Sequence, residues 1–249
     1  MEEGQTDSDE HWVFGYGSLI NKKSRDSTLG LHTPCFFVRL KPSFRHCRVW
    51  NFHSQTGFTA LGICPTSKES RAGINGVLVR VKGRAALERL DHREKGYQRR
   101  ELSAEHIVYI GEGKPEVGRW KKRCWFYIPL PENRKVADQD HPICQTYVDT
   151  VLAGCLEVSR KFAEEFVRST SGWNQFYLYD TPMSRRPWVH RPASWEDIDS
   201  ILEQEGKHTS FFERRHPEDF TAEWLHSLHG MWGVPSRNTD FVGRKAEIE

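Results

Sequence analysis

Trp12-Val13-Phe14-Gly15-Tyr16-Gly17-Ser18-Leu19 is the stretch on which the fold turns. One β-branched and two aromatic residues stop abruptly at a glycine, a pattern that predicts a strand running into a tight loop. The small residues of that loop let the backbone approach a ligand closely, and glycine permits positive φ. Successive N–H groups in such a turn can form an anion-binding concavity suited to a carboxylate, although an ordinary tight turn has the same composition. The spacing is not a G-x-G-x-x-G that opens a helix, and no G-x-x-x-x-G-K-[ST] exists. The dinucleotide fingerprint and the P-loop are therefore both excluded.

Upstream lies MEEGQTDSDE, with five acids and no base. It has neither an apolar h-region nor a basic n-region, so it is not a signal peptide. Residues 1–10 are expected to be an acidic disordered tip. The whole chain of 249 residues carries 36 basic and 34 acidic side chains, net +2. Without the five acids of the tip the body has 36 against 29, net +7. The whole-chain balance of +2 gives no general reason to expect a nucleic-acid partner or a membrane surface, and neither is expected. No window approaches the roughly 18 uninterrupted apolar residues of a membrane-spanning helix. The six cysteines include no C-x-x-C pair. In a chain this long that reads as reduced thiols, and the expected location is cytoplasmic.

Downstream, Asn21–Gly30 is polar and basic and reads as a loop. Strands are expected at Cys35–Val38, Phe44–Trp50, Phe58–Ile63 and Ile74–Val81. Arg84–Glu94 is rich in helix formers, and Gly96 is placed to end that helix. Tyr97–Ile110 returns to a strand pattern, and Cys124–Ile128 is one more short strand. Then helices take over. Cys144, Val148, Val151 and Cys155 recur at helical spacing. Phe162, Phe166 and Val167 extend that face or form a second helix. Ser194-Trp195-Glu196-Asp197 resembles a capping box that opens a helix through Leu202. Pro217–Leu228 reads as a last helix. Strands first and helices second predict an α+β chain around a small mixed or antiparallel sheet, either open or closed into a barrel, plus a helical C-terminal extension. The expected divisions are 11–130 for the core, 131–205 for the packed extension and 206–249 for a C-terminal helix and tail.

A second stretch carries candidate chemistry: Leu90-Asp91-His92-Arg93-Glu94-Lys95-Gly96-Tyr97. Glu94 falls at the C-terminal end of a helix, where a carboxylate is disfavoured by the dipole. Partial burial near Tyr97 or Phe14 would raise its proton affinity and suit a general base. A solvated charged helix end has the same sequence. His92 reads as a surface residue. His141-Pro142-Ile143-Cys144 has no second metal half-site nearby, so Cys144 reads as a core cysteine at a helix start. Arg185–Arg191 interleaves bases with aromatics, as an RNA-binding stretch can, but a packed loop with exposed arginines is the commoner case. No G-x-S-x-G serine-hydrolase elbow is present.

Taken together and in this order, the two stretches resemble the gamma-glutamylcyclotransferase-like superfamily. Val13-Phe14-Gly15-Tyr16-Gly17-Ser18-Leu19 is similar to its signature loop. Ile74-Asn75-Gly76-Val77-Leu78-Val79, followed by Leu90-Asp91-x-x-Glu94-x-Gly96-Tyr97, is similar to its second signature. The strand Cys124-Trp125-Phe126-Tyr127 looks like the family's closing strand, and Gln145–Asp149 is similar to the helix start that follows the core in several members. The resemblance covers about residues 11–130. It implies a small mixed or antiparallel β-barrel with flanking helices, and a reaction that converts gamma-glutamyl compounds to 5-oxoproline and a free amine. It also implies roles. The Gly15, Tyr16, Gly17, Ser18 and Leu19 backbone would hold the gamma-glutamyl end, Glu94 would move the proton, and Tyr127 would orient the substrate. Ring closure relies on proximity, so the chemistry requires no metal and no cofactor. Trp12 before the first signature and the Arg93-Glu94 pair bring the chain near the glutathione-degrading branch, but Lys95 stands where that branch has a glycine. The substrate implied is glutathione or a gamma-glutamyl amino acid or amine. The alternative is a non-catalytic binding protein that keeps the same fold.

Overall fold

The computed structural model describes residues 10–66, 73–111, 123–180 and 192–205. Its main sheet is built from β1 (Glu10–Gly15), β2 (Cys35–Leu40), β5 (Ile74–Lys82), β6 (Tyr97–Glu101), β7 (Ile107–Tyr109) and β8 (Arg123–Pro129). The strand order is β6-β8-β1-β5-β2-β7. β1 pairs with β5 antiparallel and with β8 parallel, so the sheet is mixed. A second sheet joins β3 (His46–His53) and β4 (Thr59–Pro65) as an antiparallel pair, and β10 (Thr170–Ser171) adds to β3 in parallel. β9 (Ile143–Cys144) and β11 (Tyr177–Leu178) form a short parallel pair.

Helices α1 (Lys22–Leu29) and α2 (Arg84–Arg93) flank the sheets. The extension contributes α3 (Gln145–Leu156), α4 (Arg160–Ser169) and α5 (Trp195–Glu205). Trp50, Leu61 and Ile63 of the second sheet share one buried apolar cluster with Phe14 and Val79 of the main sheet and with Val151, Phe166 and Ile201 of the extension. Burial of such a cluster, at about 25 cal/mol per Å² of apolar surface, is the main force that joins these elements.

Most expected elements are present, with four corrections. First, the sheet is not a closed barrel among the described residues. β6 and β7 are its two edges and do not pair with each other, while β3 and β4 pair in a sheet of their own. Which strands pair is a long-range outcome that local pattern does not carry.

Second, Asn21–Gly30 is not a loop but contains α1, capped by Asn21, whose side chain accepts the Ser24 N–H at 3.2 Å. This helix is polar along its length and buries only Arg25, so it offers no apolar stripe. Tertiary hydrogen bonds hold it instead. Arg25 donates to the Leu19 carbonyl at 2.9 Å, and Asn21 donates to the Thr150 carbonyl at 3.0 Å.

Third, Glu10 belongs to β1, not to the acidic tip. It is buried and pairs with Arg80 at 2.7 Å. Fourth, the single expected strand Tyr97–Ile110 is broken into β6 and β7 by a 3-10 turn over Ala104–His106.

Phe162 opens a second helix instead of continuing α3. The Ser159 side chain caps α4 by accepting the Phe162 N–H at 3.1 Å. The expected helix at Pro217–Leu228 and the Arg185–Arg191 stretch lie outside the described residues. Among the described residues no helix is long and apolar enough to cross a membrane.

Candidate active site

β1 ends at Gly15, in the middle of the main sheet, so the loop that follows is held from both sides by β5 and β8. The chain then winds one 3-10 turn over Ser18–Ile20, with the Ile20 N–H donating to the Gly17 carbonyl at 2.9 Å. Neither Gly15 nor Gly17 takes positive φ. The glycine requirement is one of space. A Cβ on Gly17 would stand 3.0 Å from the Tyr147 hydroxyl oxygen, so a side chain there would press Tyr147 of α3 out of its place.

α2 delivers the second part. It ends at Arg93, and Glu94 is its C-cap, with its N–H donating to the Leu90 carbonyl at 2.8 Å. Gly96 has φ +97°, a conformation glycine adopts without cost, and turns the chain into β6. Lys95, at the position where the resemblance expects glycine, is exposed and not at positive φ, so its side chain is accommodated. His92 is exposed, as expected.

These two parts meet. A small cavity of about 40 Å³ is lined by Phe14, Gly15, Tyr16, Gly17, Ser18, Leu19, Leu61, Glu94, Tyr97, Tyr127 and Tyr147. Every residue singled out from the sequence for the site is in that set. By a measure on which one water needs roughly 10–15 Å³, the cavity holds about three water-sized groups.

The Glu94 side chain is 19% exposed, and among the described residues its carboxylate accepts no hydrogen bond. Burial raises its pKa above the ordinary glutamate value, opposed in part by the positive charge of Arg93, whose Nε lies 3.5 Å away. Four phenols surround this charge. Burial is the largest cause of the rise in the pKa of Tyr16, Tyr97, Tyr127 and Tyr147, and the Glu94 charge is a further cause in each. Tyr147 is pushed up to about 12, with the positive charge of Arg93 pulling it back.

Three of the four hydroxyls have structural partners. Tyr16 donates to the Tyr127 carbonyl at 2.8 Å, Tyr97 to the Leu61 carbonyl at 2.8 Å, and Tyr127 to Asp91 Oδ1 at 2.7 Å. Asp91 is also held by Arg99 at 2.6 Å. The Tyr127 ring therefore lines the cavity while its hydroxyl is committed to α2. Arg93 is a brace between the two parts. It donates to Ser18 Oγ at 2.8 Å, to Ser24 Oγ at 3.1 Å and to Thr28 Oγ1.

Sequence reasoning assigned no site role to Tyr147 or Leu61. Both are brought in by distant elements, α3 and β4. The resemblance at Gln145–Asp149 was the available signal for Tyr147, and Leu61 had none.

No protein-family model matches the chain, and no curated protein does. Solved structures do. One described as a gamma-glutamyl cyclotransferase is 16% identical, with TM-score 0.44 and coverage of 78% of this chain and 99% of that one. An uncharacterised protein from Homo sapiens is 15% identical, with TM-score 0.45 and the same coverage. A yeast structure, described as a gamma-glutamyl cyclotransferase specific to glutathione, is 13% identical, with TM-score 0.40 and coverage of 81% and 97%. Likeness at this level carries no weight on activity, and what the site does is decided by its own residues.

Proposed function

We propose that the protein is a gamma-glutamylcyclotransferase that releases 5-oxoproline from a gamma-glutamyl compound. The observation that carries this is the shared cavity: one carboxylate of raised proton affinity, Glu94, beside the whole Gly15–Leu19 loop. Both signatures that the sequence shares with that superfamily thus contribute to one site.

In the reaction, the Glu94 carboxylate takes a proton from the substrate α-ammonium. The freed amine attacks the γ-carbonyl carbon, and the new C–N bond closes the five-membered ring. The oxygen that gains charge is stabilised by backbone N–H groups of the Tyr16–Leu19 loop. Glu94 passes that proton to the γ-amide nitrogen, the old C–N bond breaks, and the second proton shed by the ring nitrogen follows the same route, so that 5-oxoproline and the amine, as its ammonium, leave. Two protons are taken and two returned, so the carboxylate is regenerated. A carboxylate with raised pKa is a better match to both halves of this shuttle than an ordinary surface glutamate.

All six cysteines lie among the described residues and are free thiols, which suits a reducing compartment and a cytoplasmic enzyme. The test is a substrate panel of glutathione, gamma-glutamyl amino acids and gamma-glutamyl amines, with 5-oxoproline measured directly. Release from at least one of them is expected. No product from any of them overturns the proposal and favours the non-catalytic binding protein.

A further inference from the structure

His141 showed no second metal half-site in the sequence, but the fold supplies one. Residues 134–142 run back along β3. The Lys135 N–H donates to the Asn51 carbonyl at 3.0 Å, and the Thr59 N–H donates to the Pro142 carbonyl at 2.8 Å. This return brings Asp138 and His141 to His53, at the end of β3. Among the described residues these three form the one group of His, Cys, Asp or Glu whose ligand atoms all lie within 4.8 Å of one another.

The two imidazoles stack nearly parallel, with centroids 4.1 Å apart and planes at 11°. His53 Nε2 lies 3.8 Å from Asp138 Oδ2 and 2.7 Å from the Val136 carbonyl oxygen. His141 Nδ1 lies 3.6 Å from Asp138 Oδ1, beyond hydrogen-bond reach, and it is a buried nitrogen with no hydrogen-bond partner. A buried polar atom without a partner costs free energy and calls for an explanation. The His53 side chain is 10% exposed. Asp138 is set in place by its own turn, in which Oδ1 accepts the Asp140 N–H at 3.1 Å and the His141 N–H at 2.8 Å. Its Oδ2 is left to face His53.

We propose that His53 Nε2, His141 Nδ1, Asp138 Oδ2 and the Val136 carbonyl bind one divalent transition-metal ion of the Zn²⁺/Co²⁺ class. Two imidazoles and one carboxylate are the donor set that such borderline ions prefer over Mg²⁺ or Ca²⁺. Ligands at about 2.0–2.2 Å from a tetrahedral ion stand roughly 3.3–3.6 Å apart, and an imidazole binds in its own ring plane, so metal binding requires the two stacked rings to turn out of their parallel arrangement until both lone pairs meet at the ion. His53 moves its proton from Nε2 to Nδ1, a tautomer change that leaves the ring neutral. The ion then gives His141 Nδ1 the partner it lacks and fastens the 134–142 segment to β3. The Glu94 cavity shares none of these residues, so the site acts on stability, not on turnover.

The test uses full-length protein dialysed free of metal, titrated with Co²⁺ and Zn²⁺ under reducing conditions. One equivalent of Co²⁺ is expected, with d–d absorption and no thiolate charge-transfer band, and Zn²⁺ raises the melting temperature. His53→Gln, His141→Gln and Asp138→Asn each weaken binding by about 10- to 100-fold or more and abolish the Zn²⁺-induced rise. The Asp138→Asn variant keeps an amide oxygen that accepts the two turn N–H groups, so it reports the ligand and not the turn. The metal-free variants melt with the metal-free wild type. The proposal is overturned by no stoichiometric binding in the wild type, or by binding that survives in the double His53→Gln/His141→Gln variant. It is equally overturned by a thiolate band that disappears in Cys47→Ser/Cys64→Ser, which would place the ion at the thiol pair near the other end of the β3–β4 hairpin, where the two sulfurs are 3.3 Å apart.

Discussion

Among the charged side chains held in the interior, Arg48 and Glu94 have opposite surroundings. Arg48 joins the second sheet to the extension. It donates to Thr170 Oγ1 at 2.7 Å, to the Asn75 carbonyl at 2.8 Å, to Asn75 Oδ1 at 3.0 Å, to the Phe166 carbonyl at 2.9 Å and to Ser169 Oγ at 2.8 Å. Its guanidinium lies 3.5 Å over the Phe166 ring. Burial lowers its pKa to about 9, still well above neutrality. Glu94 faces a cavity, touches one cation at 3.5 Å and accepts no hydrogen bond among the described residues. The difference separates two uses of a buried charge. One whose donors are all engaged holds elements together, and removing it strands its partners. One left short of partners beside a cavity keeps its proton affinity available for a ligand.

The sharpest way to break this comparison is to exchange the two penalties. Glu94→Gln is expected to lower kcat for 5-oxoproline release by about 10²–10⁴-fold, the usual worth of a general acid–base group. Its stability at pH 7 is expected to be no lower than that of the wild type. The sign follows from linkage. Folding raises the pKa of this carboxyl, so its contribution to stability is fully present below the unfolded value and is lost as pH rises through the folded one. At pH 7 the charged form is a cost, which Gln removes. Arg48→Met, in contrast, is expected to lose about 3–5 kcal/mol in urea unfolding. Reversed outcomes, an inactive but stable Arg48→Met and an unfolded Glu94→Gln, would dissolve the distinction.

Smaller effects refine it. Gly17→Ala places a Cβ 3.0 Å from the Tyr147 hydroxyl and is expected to reduce kcat/KM by roughly fivefold, about 1 kcal/mol, with little change in melting temperature. Tyr147→Phe removes the one cavity phenol hydroxyl with no hydrogen-bond partner among the described residues and should lower kcat/KM by a similar amount, about 0.5–1.5 kcal/mol. Tyr127→Phe removes a hydroxyl committed to Asp91, so its loss of about 1 kcal/mol should appear in unfolding and leave kcat near that of the wild type. Steady-state kinetics beside thermal melts separate the three.

How much of this was legible in the sequence depends on how local each cause is. β1, β5 and α2 announce themselves in runs of β-branched residues or helix formers closed by a glycine, and each lies where it was expected. α1 does not, because its support comes from Thr150, Arg93 and the Leu19 carbonyl, all outside its own sequence. Sheet closure failed for the same reason, since edge pairing is set by strands far apart in the chain. At the site, glycine positions were legible but their reason was not. Gly17 makes room for the distant Tyr147 instead of adopting positive φ. Glu94 looks like any member of a charged helix end until the resemblance singles it out. Only the fold then shows that Arg93 braces it against Ser18 and that four phenols surround it.

The central claim is that the Glu94 carboxylate moves the proton. The pH dependence of kcat/KM for 5-oxoproline release tests it most directly, because that profile reports the ionisation of the free enzyme. The wild type is expected to lose activity on acidification through a group whose pKa lies above the ordinary glutamate value, and the residual rate of Glu94→Gln is expected to lack that limb. An acid limb that is unchanged in Glu94→Gln, or a wild-type profile flat down through the ordinary carboxylate range, would contradict the account.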